Sequence, residues 1–377
     1  MDDLRLGQPV AWDIYDDREQ LLARKGFVPQ SETQMETLIR RGLLVIAEEY
    51  REAQDLKNDE DNAEEKPQHH VLSMLEHAHD IVQGIMLGFI TDMPLPDTKN
   101  EVLRAANILN EAFTINPDIA FAWILFKQTS VGYATRHLVN AAVLSMAVAK
   151  AMNKPQEETA LITAAALTMN ISIMRLQEEL QNREAGPNKH EEALLRKHPE
   201  ESAKLLSQVG VTDKLWKTLI LDHHEHLDGS GYPSGKSGNA FHDGAQIIAL
   251  SDRYTSMISP RKYRKALHPT HALRAMLIDG GKTCDAKIAA YFIKELGIYP
   301  PGAGVKLVNN ECGVVMRKGF SAMAPAVLVV KNQYGAPLPF QKKRDTELEQ
   351  YAIKEPFQLE PDDIPFSMQQ LWGTEAT

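Results

Sequence analysis

"HHEHLDGSGYP", residues 223–233, sets two adjacent histidines, a glutamate, an aspartate, two glycines, a tyrosine and a proline within eleven positions. Packing alone does not require that composition. Upstream, Trp216, Leu219, Ile220 and His223 fall at i, i+3, i+4 and i+7 of a helix predicted from about Thr212, so an apolar stripe ends in two imidazoles. Adjacent imidazoles at a helix end can share a metal ion when another element supplies further ligands. Downstream, "DGSGYPSGKSG" (228–238) is a glycine-rich loop in which Gly229 and Gly231 suit positive φ and Pro233 stiffens the exit. Joined directly to His223, His224 and Glu225, this loop is expected to wall whatever those histidines hold.

Three more positions extend the pattern. His137 shares a helical stripe with Ala141, Leu144 and Val148 in a helix predicted over 134–152. A lone histidine on such a stripe is more often a satisfied core residue than a ligand, and only its company changes that. His198 precedes Pro199, which places it at a turn opening a new helix. Asp252 follows Ala245, Ile248 and Ala249 on the inward face of "DGAQIIALSDRYTSMI", where a carboxylate needs a cation or donors; Arg253 and Arg264 are the ordinary candidates. The basic run "SPRKYRKA" (259–266) is either a polar cap or an anion contact. His69, His70, His77 and His79 lack regular ligand spacing and read as a solvated face.

The whole chain is compatible with a folded, reducing-compartment protein. Its 377 residues are 43% hydrophobic and 24% charged, and the formal charge of -10 argues against a general affinity for duplex nucleic acid or anionic membrane. Two distant cysteines, Cys284 and Cys312, imply neither a disulfide framework nor a zinc-thiolate site. The start, "MDDLRLGQPVAW", is acidic and is not a secretory signal, and the most apolar run, Ala141 to Met152, is too short to span a membrane. A cytoplasmic location is expected.

Four regions are predicted. Residues 1–50 form a small α+β leader with a β turn at Asp16-Asp17 and a capping box of Ser31 and Gln34 on a short helix ending at Gly42. An acidic linker occupies 51–68. Residues 69–299 carry helix-period spacing throughout. Residues 300–377 switch to period two, with turns at Asn309-Asn310 and Tyr334-Gly335 and a tail from about Gln341 that wraps or trails. The predicted class is mainly α: a helical domain flanked by a small N-terminal α+β module and a small C-terminal β module.

The quoted stretch resembles the HD-GYP signature HHExxDGxGYP at every fixed position, and the likeness extends from "YATRHLVN" near Tyr133 to "SDRYTSMISPRKYR" at Arg264. The resemblance implies an HD-superfamily helical domain that binds two or three iron or manganese ions and hydrolyses cyclic di-GMP. Carried over by position, His137 and Asp252 match ligands of a first metal, and His198, His223 and His224 those of a second. The loop residues Asp228, Gly229, Gly231, Tyr232 and Pro233, with Arg261 and Arg264 of the basic run, are the candidate ligand-binding residues. The leader and the "YPPGAGVKLVNNECGVV" segment are similar to segments flanking this domain in stand-alone members, and neither resembles a receiver domain.

One segment departs from the family. Where HD-GYP proteins carry "HDIGK", this chain reads "MNISI": Met169 stands for the histidine, Asn170 for the bridging aspartate and Ile173 for the lysine. A thioether is a poor ligand for Fe(II) or Mn(II), and an amide offers one neutral oxygen. Tyr133 stands four residues before His137, where members with a third metal carry glutamate, and Thr255 replaces a further aspartate. The expectation is therefore a degenerate member that holds one iron or manganese ion or none, and binds cyclic di-GMP, a related nucleotide or a partner such as a diguanylate cyclase domain with little hydrolysis. Two alternatives stand beside it: an active phosphodiesterase with ligands rebuilt from Glu178, Glu179 or His190, and an interaction scaffold without nucleotide. A homodimer is compatible with all three.

Overall fold

Every residue from Tyr133 to Ala149 is buried, which makes the helix Tyr133–Ala151 the axis of the helical unit. A helix apolar on all sides is stable only when covered on all sides. The computed structural model describes residues 6–10, 14–15, 21–23, 26–35, 38, 71–126, 132–238, 240–278, 281, 283–319, 321–359 and 367–373. The chain divides into two compact units, Met1–Lys66 with Phe340–Lys342, and Pro67–Pro339 with Lys343–Thr377.

In the first unit, β1 (Ile14–Tyr15) pairs antiparallel with β2 (Leu21–Ala23). Half of the capping box forms: Ser31 Oγ accepts from the Gln34 amide, whereas Gln34 Oε1 accepts from the Gln30 amide, one residue before the cap. The predicted turn at Asp16-Asp17, the helix end at Gly42, and the linker 51–68 with His69 and His70 lie outside the described residues.

The second unit is helical from α1 (Val71–Ile90) through α2 (Thr98–Ile115), α3 (Pro117–Phe126), the axial α4 (Tyr133–Ala151) and α5 (Gln156–Thr168). A 3-10 turn at Ile171–Ile173 leads into α6 (Met174–Gln181), followed by α7 (Lys189–Gln208), α8 (Lys214–Asp222), α9 (Asp243–Ile258), α10 (Pro269–Ile278) and α11 (Ala286–Leu296). Helices α1, α5, α9 and α11 surround α4. The run Gln156–Gln181 is apolar and long enough to cross a membrane, which corrects the expectation that no segment is; 72% of its most apolar window is buried in this fold.

The predicted β turns form. β3 (Gly304–Leu307) and β4 (Cys312–Arg317) pair around Asn310, whose φ is 69°, and β5 (Ala326–Lys331) turns at Gly335 into β6 (Pro337–Asp345). The segment after Gln341 does not trail: β7 (Ile353–Pro356) pairs with β3, giving sheet order β6-β5-β4-β3-β7. A last helix, α12 (Met368–Trp372), buries Trp372, whose Nε1 donates to the Met316 carbonyl at 3.1 Å. Val314, Met316, Leu328 and Val330 join the helices in one continuous core.

Candidate metal centre

His198 lies inside α7, not at a turn as Pro199 suggests in the sequence. Helix α7 starts ten residues earlier in a capping box, with Asn188 Oδ1 accepting from the His190 and Glu191 amides and Glu191 accepting from the Asn188 amide. Pro199 has no N–H, so the carbonyl four residues back, that of Leu195, loses its helical donor. His198 Nδ1–H takes that place, donating to the Leu195 carbonyl at 2.6 Å. The proline thus supplies the acceptor that sets the tautomer of its neighbour.

His223 is set the same way by a helix end. The last carbonyls of α8 have no helical partner, and His223 Nδ1–H donates to that of Ile220 at 2.6 Å. Both imidazoles therefore present bare Nε2 lone pairs, and these face one another at 3.1 Å. A proton between them would require a buried imidazolium. Burial, then the charge of His223, pushes His198 down to about 3, and burial lowers His223 as well. A metal cation between them would satisfy the pair, and locked Nδ1–H groups are the usual support of metal-bound histidine. His224 completes the set: ligand atoms of His198, His223 and His224 lie within 4.8 Å of one another.

The loop after them is built onto this triad. Glu225 is buried and accepts from the amides of Ser234 at 2.7 Å and Lys236 at 2.8 Å. Lys236 Nζ binds both carboxylate oxygens of buried Asp222 at 2.6 and 2.7 Å. The Tyr232 amide donates to the His224 carbonyl at 3.0 Å, the Tyr232 ring stacks on His224 at 4.6 Å, and the Arg196 guanidinium lies 5.4 Å from the centroid of the same ring. A Cβ on Gly231 would come within 2.5 Å of the Glu225 Cα and the His224 carbonyl oxygen, so only glycine fits there. Gly229 has φ of 76°. Gly231 thus serves a close approach rather than the positive φ expected for it.

His137 and Asp252 are brought together, but with each other. His137 Nε2 lies 2.6 Å from Asp252 Oδ1, so the carboxylate's partner is this histidine rather than Arg253 or Arg264. Burial raises the Asp252 carboxyl, but the hydrogen bond and charge of His137, with His224 and His223, outweigh it and hold the group below the usual carboxylate range. Met169 is fully buried and apolar, and Ile173 is buried on the 3-10 turn where α5 ends. Asn170 Oδ1 is buried without a hydrogen-bond partner. Glu178 accepts from the Ala134 amide at 2.7 Å, and Glu178, Glu179 and His190 lie outside the histidine cluster found among the described residues.

The two arginines part company. Arg264 lines a cavity of about 320 Å³ together with His223, His224, His226, Asp252 and Ser256. Arg261 does not line it: its Nη2 donates to the Tyr133 hydroxyl at 2.7 Å and its Nη1 to that of Tyr263 at 2.5 Å. Tyr133, at the position of the family's third-metal glutamate, thus pairs with a cation. Pro233 follows Tyr232 in the loop, and Asp228 is exposed, its Oδ1 accepting from the Ser230 amide and hydroxyl at 2.9 and 2.6 Å.

Comparison with known proteins agrees with this architecture. Residues 121–288 match the family described as HD domain. A cyclic di-GMP phosphodiesterase of Pseudomonas aeruginosa is 31% identical over 203 residues, covering 54% of this chain and 49% of that protein. The cyclic di-GMP phosphodiesterase PdeB of Borreliella burgdorferi is 24% identical over 187 residues, covering 50% of this chain and 49% of that one. This chain therefore spans about half the length of the curated relatives it matches. Among solved structures, the HDG"Y"P protein Bd1817 of Bdellovibrio bacteriovorus superimposes with a TM-score of 0.51 at 17% identity, over 78% of this chain and 96% of that one, a likeness of fold. Residues 121–288 thus carry an HD domain. More narrowly, the chain is similar to the HD-GYP proteins and to the cyclic di-GMP phosphodiesterases named above.

Proposed function

We propose that this chain is a cyclic di-GMP signalling protein that keeps one metal position of the HD-GYP site and binds the cyclic dinucleotide, or a related one, with little or no hydrolysis. The observation that carries the reading is the facing pair of bare Nε2 atoms on His198 and His223, 3.1 Å apart, together with the burial of Met169 and Asn170 at the positions of the lost histidine and aspartate. Three imidazoles suit one divalent ion of the iron or manganese type, with positions left for water or ligand. A second position does not fit the residues present. His137 and Asp252 are spent on each other, Met169 offers sulfur, and the Asn170 amide cannot bridge two cations as a carboxylate does.

A divalent ion in the triad would supply positive charge and polarise a phosphate oxygen. The chain's own residues supply the rest. Arg264 brings a guanidinium to the same cavity, suited to phosphate oxygens, and the stacked Tyr232 holds His224 in place. Cyclic dinucleotides are the class named for the relatives, and a cavity that joins a cation site to an arginine accommodates a phosphodiester.

The test is cyclic di-GMP binding and hydrolysis by protein purified anaerobically and supplied with Mn(II) or Fe(II), beside the Met169→His/Asn170→Asp variant. The proposal expects binding by both and turnover only by the variant. Turnover by the natural chain that His223→Ala abolishes would replace it with an enzyme whose ligands have been rebuilt.

A further inference from the structure

His226 occupies a variable position of the signature, and so does Ser230, yet the two are joined. Ser230 Oγ–H donates to Asp228 Oδ1 at 2.6 Å, which spends the only proton that hydroxyl has. His226 Nδ1 lies 3.0 Å from the same Oγ, so the imidazole must be the donor there. A relay from Asp228 through Ser230 therefore fixes the proton of His226 on Nδ1 and leaves Nε2 as a bare acceptor. The second hydrogen bond of Asp228, from the Ser230 amide at 2.9 Å, holds the relay's geometry.

His226 also lines the cavity that contains Arg264, Ser256, Asp252, His223 and His224. Arg264 is a donor suited to anionic oxygen. A bare Nε2 is the opposite: it has nothing to offer a phosphate oxygen and accepts only from an N–H or O–H. The lining of one cavity thus combines complementary chemistry, a cation and donor suited to phosphate and a bare acceptor suited to a group that carries hydrogen.

We infer that His226 is a specificity residue that reads a hydrogen-bond donor on the nucleoside part of the ligand, a ribose 2′-hydroxyl or the guanine exocyclic amine, with Ser230 as its positioning residue. The inference rests on the proposed binding of a cyclic dinucleotide in this cavity. It assigns a role to two side chains that the signature leaves open, and separates recognition of the nucleoside from recognition of the phosphate.

The experiment measures binding of three ligands by Mn(II)-loaded full-length protein: cyclic di-GMP, its 2′-deoxy analogue and its inosine analogue, which lacks the exocyclic amine. The natural chain is expected to bind one of the analogues about three- to tenfold more weakly, the effect of one neutral hydrogen bond. His226→Leu should bind cyclic di-GMP more weakly by the same factor and no longer distinguish that analogue. His226→Gln, which can place an amide oxygen near the position of Nε2, should recover the distinction, and Ser230→Ala should blunt it by freeing the tautomer. Unchanged ranking of the three ligands in His226→Leu, or equal affinity of the natural chain for all three, would overturn the inference while leaving nucleotide binding intact. No binding of cyclic di-GMP by the natural chain would instead overturn the underlying reading. Thermal unfolding of each variant at the natural temperature shows that the comparison concerns the site and not the fold.

Discussion

His198 and His223 meet Nε2 to Nε2 at 3.1 Å, each with its Nδ1–H already given to a backbone carbonyl. Neither ring can donate to the other without a buried positive charge. The two carbonyls come from different local causes, a proline within α7 and the frayed end of α8, and both turn the rings toward one point. That convergence, with His224 beside it, distinguishes this triad from His137, whose Nε2 is committed to Asp252.

Pro199→Ala tests the origin of that geometry because it moves two quantities in opposite directions. Alanine restores an N–H that competes for the Leu195 carbonyl, so His198 loses the support of its Nδ1. Metal affinity should fall about 10- to 100-fold, the usual effect of losing such a partner. Helix stability should rise, since an interior proline costs roughly 3 kcal/mol. Titration with Mn(II) and a urea melt of the metal-free protein check the two arms, and undiminished metal affinity would refute the assignment.

Arg264 and Arg261 should separate in the same way. Arg264→Ala should weaken cyclic di-GMP binding about tenfold, the loss of one charge-assisted contact of about 1.5 kcal/mol, with little change in melting temperature. Arg261→Ala leaves the buried Tyr133 hydroxyl without its donor and should lower the melting temperature while the cavity keeps its cation. Calorimetric binding and thermal melts of both variants decide, and equal effects on binding would show that the two arginines act together.

How far the sequence went differs from place to place in the site. The signature loop was legible because its glycine and glutamate encode backbone contacts within eleven residues, and Gly231 and Glu225 meet in the structure as neighbours. His198 was placed at a turn because Pro199 is a strong local signal; the capping box of Asn188 and Glu191, ten residues earlier, would have shown that the helix was already running. The partner of Asp252 was not legible, because α4 and α9 meet only in the tertiary fold. Arg261 and Arg264 look equivalent in a basic run, and only packing against Tyr133 and Tyr263 tells them apart. β7 and α12 are legible in the sequence only as a tail that wraps or trails, because their strand partner and core contacts lie far away in sequence.

A pH dependence follows from His268, which is remote from the triad in sequence. Its Nε2 donates to the Gly304 carbonyl at 2.9 Å and its Nδ1 accepts from the Thr270 amide at 3.2 Å, so both nitrogens are satisfied in the neutral form. Burial pushes it down to about 4, against a small opposing effect of the Gly304 bond. The unfolded chain binds the proton near pH 6.5, before the folded chain does. Stability from this group is therefore complete above about pH 6.5 and is lost as pH falls toward 4, about 2 kcal/mol by pH 5. His268→Asn keeps an acceptor for the Thr270 amide and does not titrate. Urea melts at pH 7.5 and 5 should show a smaller difference in that variant than in the natural chain, and an identical difference would remove His268 from the account.

Metal content per chain tests the central claim most directly. Protein purified without oxygen, exposed to excess Mn(II) or Fe(II) and freed of loosely held ions, should retain one ion per chain, and His198→Ala or His223→Ala should retain none. Two ions per chain in the natural protein would contradict the account, because His137, Asp252, Met169 and Asn170 would then hold a metal that their arrangement argues against.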